Sequence, residues 1–112
     1  MGLFHITTQS QWQQALQEGR YHPPSLDLEG FIHFSSERQW LTTANRFFRG
    51  QPDLVLLSVN SERLQAELKL EAADDDVFPH LYGELNLDAV IEVYELPLGE
   101  DQQVRIPAAL LP

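Results

Sequence analysis

Three histidines sit in short apolar segments far apart in the chain: Phe4-His5-Ile6-Thr7, Phe31-Ile32-His33-Phe34-Ser35 and Phe78-Pro79-His80-Leu81-Tyr82-Gly83. Imidazole titrates closest to neutrality of all side chains, so it suits proton transfer, hydroxyl binding and metal ligation. Each of these rings stands with another polar group inside a stretch that otherwise reads as buried strand. A buried polar group without a partner costs roughly 1–3 kcal/mol. Three such placements therefore demand partners, and they point to a polar cleft cut into an apolar sheet.

Alternate residues of a strand share a face. His5 then lies with Leu3 and Thr7, and His33 with Phe31 and Ser35, opposite the apolar Ile32 and Phe34. His80 and Tyr82 share a face across Leu81, and an imidazole beside a phenol can hold hydroxyls or pass a proton. The competing readings are structural: His5 bonded to a main-chain carbonyl in the core, His33 on a solvent-facing strand side, His80 and Tyr82 in rigid loop packing. His22, in a proline-bounded loop with Arg20 and Tyr21, reads as exposed. Lys69 is the sole lysine, and nothing marks it as a Schiff-base nucleophile. Dinucleotide, P-loop, nucleophile-elbow and zinc-protease motifs are all missing. A metal would need His5, His33 and His80 to meet a carboxylate without any supporting local spacing. No metal is expected, and a metal-dependent hydrolase is the third-ranked reading.

The elements that must position these residues fit one domain, residues 1–112. Leu3–Thr7 reads as a strand, and Thr8 with Gln11 as the capping box of a helix bearing Trp12, Ala15 and Leu16, closed by Gly19. Residues 20–30 read as a loop and Phe31–Ser35 as a strand. Ser36 with Gln39 suggests a second capping box, before a helix with Trp40, Leu41, Ala44, Phe47 and Phe48 on one side and Gly50 at its end. Leu54–Val59 is apolar throughout, as a central, doubly covered strand would be. One or two helical turns are expected over Ser61–Glu67. Leu68–Ala72, Val77–Leu85 and Val90–Leu96 complete the strands, with a turn at Asp74–Asp76 and a final edge segment from Val104 to Pro112. Two helices followed by a run of strands give an α+β fold.

The chain has no cysteine and a net charge of −10. Residues 1–61 carry four basic and five acidic side chains, whereas residues 62–112 carry three and twelve. Such acidity opposes binding of DNA or long RNA. A small anionic ligand would dock on the N-terminal half, where Arg20, Arg38, Arg46 and Arg49 lie. No apolar run approaches membrane-spanning length, and the start Met1-Gly2-Leu3-Phe4-His5 lacks the pattern of a secretory signal. A cytoplasmic location is expected; the oligomeric state is open.

The series Tyr21, Pro24-Ser25-Leu26, Glu29-Gly30-Phe31-Ile32-His33-Phe34-Ser35, Thr43-Ala44-Asn45-Arg46-Phe47-Phe48, Asp53-Leu54-Val55-Leu56-Leu57 and Phe78-Pro79-His80-Leu81-Tyr82-Gly83 resembles the bacterial family known as domain of unknown function 952, from Phe4 to about Val93. That resemblance implies an ADP-ribosyltransferase-like fold, two small antiparallel sheets meeting at a cleft. The first two histidine blocks are similar to those of the RNA 2′-phosphotransferases of that fold. It further implies that His5 bonds a ribose hydroxyl and His33 flanks the nicotinamide or base. This chain departs from the transferases at the late-strand glutamate, where it offers His80, Tyr82 and Glu84. The expected site comprises His5, His33, His80 and Tyr82 for any catalysis, and His5, Thr7, Arg20, His33, Ser35 and Arg46 for the ligand. The implied ligand is NAD, ADP-ribose or a related nucleotide, with no permanently bound cofactor. The activity would be ADP-ribosyl or phosphate transfer. The alternative is a binding or regulatory module without chemistry.

Overall fold

Strand β1 (Gly2–Thr8) is buried on both sides, with Leu3, His5 and Thr7 pointing one way and Phe4 and Ile6 the other. The same holds for β4 (Leu54–Asn60), whose odd residues Val55, Leu57 and Val59 join one apolar cluster while Leu54 and Leu56 join a second. In the computed structural model, which describes residues 2–111, these strands form an antiparallel sheet with β8 (Val90–Glu95) in the order β1-β4-β8. The central, doubly covered place expected for Leu54–Val59 is the observed one.

Helix α1 (Gln9–Glu18) brings Trp12 and Ala15 to the first cluster. Thr8 caps it, its hydroxyl accepting from the Gln11 amide at 3.1 Å. The box is not reciprocal, because the Gln11 side chain is taken by the Thr7 hydroxyl at 2.7 Å. Leu16, expected on the buried stripe, is half exposed. The other side of the sheet is covered by α3 (Trp40–Phe47) through Trp40 and Ala44, together with Leu96 and Val104. Here the second capping box is half formed. Gln39 Oε1 accepts from the Ser36 amide at 3.0 Å, but Ser36 Oγ is buried without a partner and the helix begins only at Trp40. Phe47 turns outward, under the Arg46 guanidinium.

Two smaller sheets pack over the first cluster. β2 (Arg20–Tyr21) pairs with β7 (Leu85–Asn86), and β3 (Ile32–His33), β6 (Asp76–Tyr82) and β5 (Glu67–Ala73) lie in the order β3-β6-β5. Ile32, Phe34, Leu81, Tyr21 and Leu85 carry these sheets onto the core. Small antiparallel sheets with three helices among the described residues make an α+β fold, as expected.

Several expectations need correction. The loop over residues 20–30 contains β2 and a third helix, α2 (Pro24–Glu29). Pro24 fits its first turn, where no amide is needed, and Gly30 closes it at φ 88°. The helix buries no residue, so it has no apolar period to read. The strand at Phe31–Ser35 ends after His33, because the chain crosses from one sheet to another: Phe34 bonds Pro79, whereas Ser35 exchanges two main-chain bonds with Phe4. Residues 61–63 make a single 3₁₀ turn, and the extended stretch 77–85 breaks at Gly83 into β6 and β7. The tail is no strand beyond one bridge, Leu98 to Val104. It is held instead by the Asn45 amide, which bonds both main-chain groups of Val104; Pro112 lies outside the described residues. The Asp74-Asp75 turn is a two-residue hairpin loop with both residues at positive φ, the type I′ geometry that matches strand twist.

Gly83 marks a close approach: a Cβ there would fall 2.7 Å from the Ala66 Cβ, which has no flexible arm to move aside. The Gly83→Ala variant is expected to lose about 1–3 kcal/mol in urea unfolding. Adding Ala66→Gly should restore the part of that loss due to the clash but not the part due to the backbone, since Gly83 has a φ of 159° that an alanine rarely adopts. A Gly83→Ala protein as stable as its parent would show that the contact is not limiting.

Candidate functional site

His5 stands in the middle of β1, opposite Leu57, with its ring directed toward the two smaller sheets. Its Nδ1 lies 2.5 Å from the His33 carbonyl and its Nε2 lies 2.7 Å from the Tyr21 hydroxyl. A carbonyl can only accept, so Nδ1 carries the proton, and the neutral ring accepts from the Tyr21 O–H at Nε2. Burial pushes the imidazole pKa down to about 4, against the favourable bond to His33. Burial also raises the Tyr21 phenol to about 12. The ring is thus kept neutral and enclosed, in the arrangement of a structural core histidine.

The other two histidines meet on the outer face of β3-β6-β5. His33 is directly opposite His80, and His80 directly opposite Lys69, so the three side chains form a row across the sheet. The His33 and His80 rings touch edge to face, with centroids 5.3 Å apart. Phe31 stacks on His80 at 4.1 Å and also contacts His33 and Tyr82. Each imidazole is held by a carboxylate. His33 Nε2 lies 2.8 Å from Glu29 Oε1, and His80 Nδ1 lies 2.8 Å from Glu71 Oε1, which also accepts from the Tyr82 hydroxyl at 2.5 Å. These bonds fix the N–H on the carboxylate side and leave His33 Nδ1 and His80 Nε2 without a hydrogen-bond partner among the described residues. The hydrogen bonds from Tyr82 and then His80 hold Glu71 below the usual carboxylate range, and the same bond raises Tyr82. The Lys69 ammonium stands 4.6 Å over the Tyr82 ring. The result is a shelf on which the His33 ring and the Lys69 ammonium are exposed and Phe31 and Tyr82 partly so, while His80 is buried beneath the stacked Phe31 ring.

A separate groove of about 290 Å³ lies between α1 and α2, lined by Gln11, Gln14, Arg20, Tyr21, His22 and Asp27 among others. Helix α2 divides the two regions, since Asp27 faces the groove while Glu29, at its end, reaches the shelf. His22 bridges Asp27 at 2.9 Å and Glu84 at 2.7 Å, and those carboxylates raise its pKa.

The structure therefore brings together His33, His80 and Tyr82 and sets the other expected residues apart. His5 and Thr7 lie behind the shelf, joined to it through the His33 carbonyl. Ser35 is buried, its main chain paired with Phe4 rather than lining a cleft wall. Arg20 pairs with Glu84 beside the groove, and Arg46 pairs with Asp74 at the hairpin turn, several residues along the strands from His80. Tyr21, Glu29 and Glu71 were not expected. Alternation along β5 sets Glu71 on the face of Lys69, and the β5-β6 pairing brings it beside His80 and Tyr82. Among the described residues, no three of His, Cys, Asp and Glu are grouped so as to hold a metal ion. Among the same residues no helix is long and apolar enough to cross a membrane.

The family described as "Protein of unknown function (DUF952)" matches residues 6–93. The chain belongs to that family. The crystal structure of protein CC0527 from Caulobacter crescentus is similar, with 36% identity, a TM-score of 0.87 and 94% of each chain covered. Its solution structure shows 39% identity and a TM-score of 0.78, over 92% of this chain and 90% of that one. No curated protein matches the chain. The family span includes the whole shelf, from Glu29 through Tyr82.

The burial of a neutral His5 makes the fold sensitive to acid. Between pH 6.5 and about 4 the unfolded chain binds a proton at His5 that the folded chain refuses, so stability falls on acidification by about 3 kcal/mol in all. His22 acts in the opposite sense: its contribution is full below its unfolded pKa and fades as pH rises through the raised value. In urea titrations at pH 7 and pH 4.5, His5→Gln should lose about 2–3 kcal/mol less than the parent. Equal losses would mean that His5 can be protonated in place.

Proposed function

We propose that the chain binds a small ribose-bearing nucleotide, NAD or ADP-ribose, on the histidine shelf, and that its fold is related to that of the ADP-ribosyltransferases. The observation that carries this reading is the meeting of His33 and His80 on one face, each oriented by a carboxylate, with His33 exposed and His80 beneath the Phe31 ring that a ligand would have to displace. Ribose hydroxyls donate to imidazole nitrogens. Phe31 and Tyr82 offer aromatic surface to a base or nicotinamide ring, and Lys69, only loosely paired with Glu67 at 3.9 Å, offers a cation to phosphate.

A second reading, turnover of the bound nucleotide, is favoured by Glu71. Its carboxylate accepts hydrogen bonds from both His80 and Tyr82. There it would stabilise the cation-like ribose as nicotinamide leaves with the electron pair of the broken C–N bond. Water would attack the ribose carbon and give its proton to an imidazole.

Thermal unfolding with NAD, ADP-ribose and AMP tests the binding. A ligand at about 100 times its dissociation constant adds about 2.7 kcal/mol, and His33→Ala and His80→Ala are each expected to abolish the rise. No rise with any of the three ends the nucleotide reading. Nicotinamide release from NAD that is lost in Glu71→Gln supports turnover, whereas binding without release leaves a binding module.

A further inference from the structure

We propose that two copies of this chain associate through strand β5, antiparallel, with Leu70 opposite Leu70 across a two-fold axis. Lys69 of each copy then faces Glu71 of the other. The pairing does not depend on which ligand the shelf takes, although Lys69 and Glu71 belong to both the seam and the shelf.

Strand β5 is the edge of its sheet, and among the described residues no strand or bridge lies along its outer side. Its seven pairs with β6 run without a bulge, and it contains neither proline nor glycine. Such an edge presents unpaired main-chain groups to any matching strand. Natural edges are usually guarded by charge, so the charge pattern decides what this one accepts.

That pattern fits a second copy. Leu70 is the central residue of Glu67–Ala73, so a two-fold axis there uses the whole strand: Glu67 meets Ala73, Leu68 meets Ala72 and Lys69 meets Glu71. Directly opposed side chains lie on one face, so both lysine–glutamate pairs form on the shelf side, while the two leucines meet on the other. Leu70 is 64% exposed in the single copy, and Val77, paired with neighbouring Ala72, is 49% exposed. The exposed apolar side chains at this end of the face are thereby partly covered. An axis at Lys69 would set that lysine against itself and Glu67 against Glu71. One at Leu68 would use only the first residues of the strand.

The remaining edges do not fit. β1 is already bridged at Phe4 by Ser35, β8 carries Glu92 and Glu95 and no basic residue, so a second copy there meets like charge, and β2, β3 and β7 are each two residues long. With a net charge of −10 on each copy, long-range repulsion opposes any contact that lacks local complementarity. One strand pair with a few apolar side chains is a small interface, so the dimer is reversible and concentration-dependent.

The chain has no cysteine, which permits a direct test. Opposed residues in an antiparallel pair have Cα atoms about 4.5–5.5 Å apart, within disulfide range. The Leu70→Cys variant is expected to form a covalent dimer under mild oxidation, much faster than Leu28→Cys, whose position is 83% exposed but away from the edge. In sedimentation velocity, Lys69→Glu and Glu71→Lys should each be monomeric. When mixed, they should form a heterodimer, because one copy then carries acids at both positions and the other lysines at both. Circular dichroism confirms that each variant is folded. Equal cross-linking of the two cysteine variants, or a parent dimer that survives both charge reversals, overturns the proposal. So does a parent that stays monomeric while the mixture forms no heterodimer.

Discussion

The imidazole of His5 belongs to the first sheet, donates from Nδ1 to a carbonyl of the third and accepts at Nε2 from a tyrosine of the second. None of these sheets is large enough to stand by itself, and the second has only two short strands. Apolar packing brings them together without fixing their mutual orientation, since it is largely non-directional. The two polar bonds supply that direction. Deleting the ring would strand a carbonyl and a phenol in the core, at roughly 1–3 kcal/mol each.

The shelf inherits its geometry from that buried bond. His33 faces two ways: its carbonyl is fixed inward by His5, while its ring projects outward to Glu29 and His80. β3 is only two residues long, so main-chain pairing alone would hold it weakly. The inward bond, the Ser35–Phe4 exchange and the packing of Ile32 and Phe34 restrain the segment from within. A binding surface built on so short a strand stays ordered because its support is in the core.

What could be read from the chain was local. Thr8 announced α1, the unbroken apolar run of β4 announced a central strand, and strand alternation paired His80 with Tyr82. Longer-range facts were hidden. Glu71 and His80 are nine residues apart on two strands of a hairpin, and no spacing rule indicates that one orients the other. Tyr21 reads as a loop aromatic until β2 carries it under His5. The prolines that suggested a loop instead begin α2, a helix too short and too exposed to show a period. Ser35 fits strand alternation but misleads, because the chain changes sheets there.

The two-faced burial of β4 has a consequence for how the fold is reached. Leu54-Val55-Leu56-Leu57 offers similar apolar bulk on both sides, so a one-residue slip against β1 exchanges one aliphatic side chain for another. Hydrophobicity hardly distinguishes the registers, and the polar neighbours have to do so. Ser58 breaks the uniformity at one end, where the pairing with β8 also shifts register, and Asp53, at φ 60°, sets the entry at the other. The correct alignment of the central strand is thus encoded at its margins, and a chain collapsing on its apolar middle first must search for it.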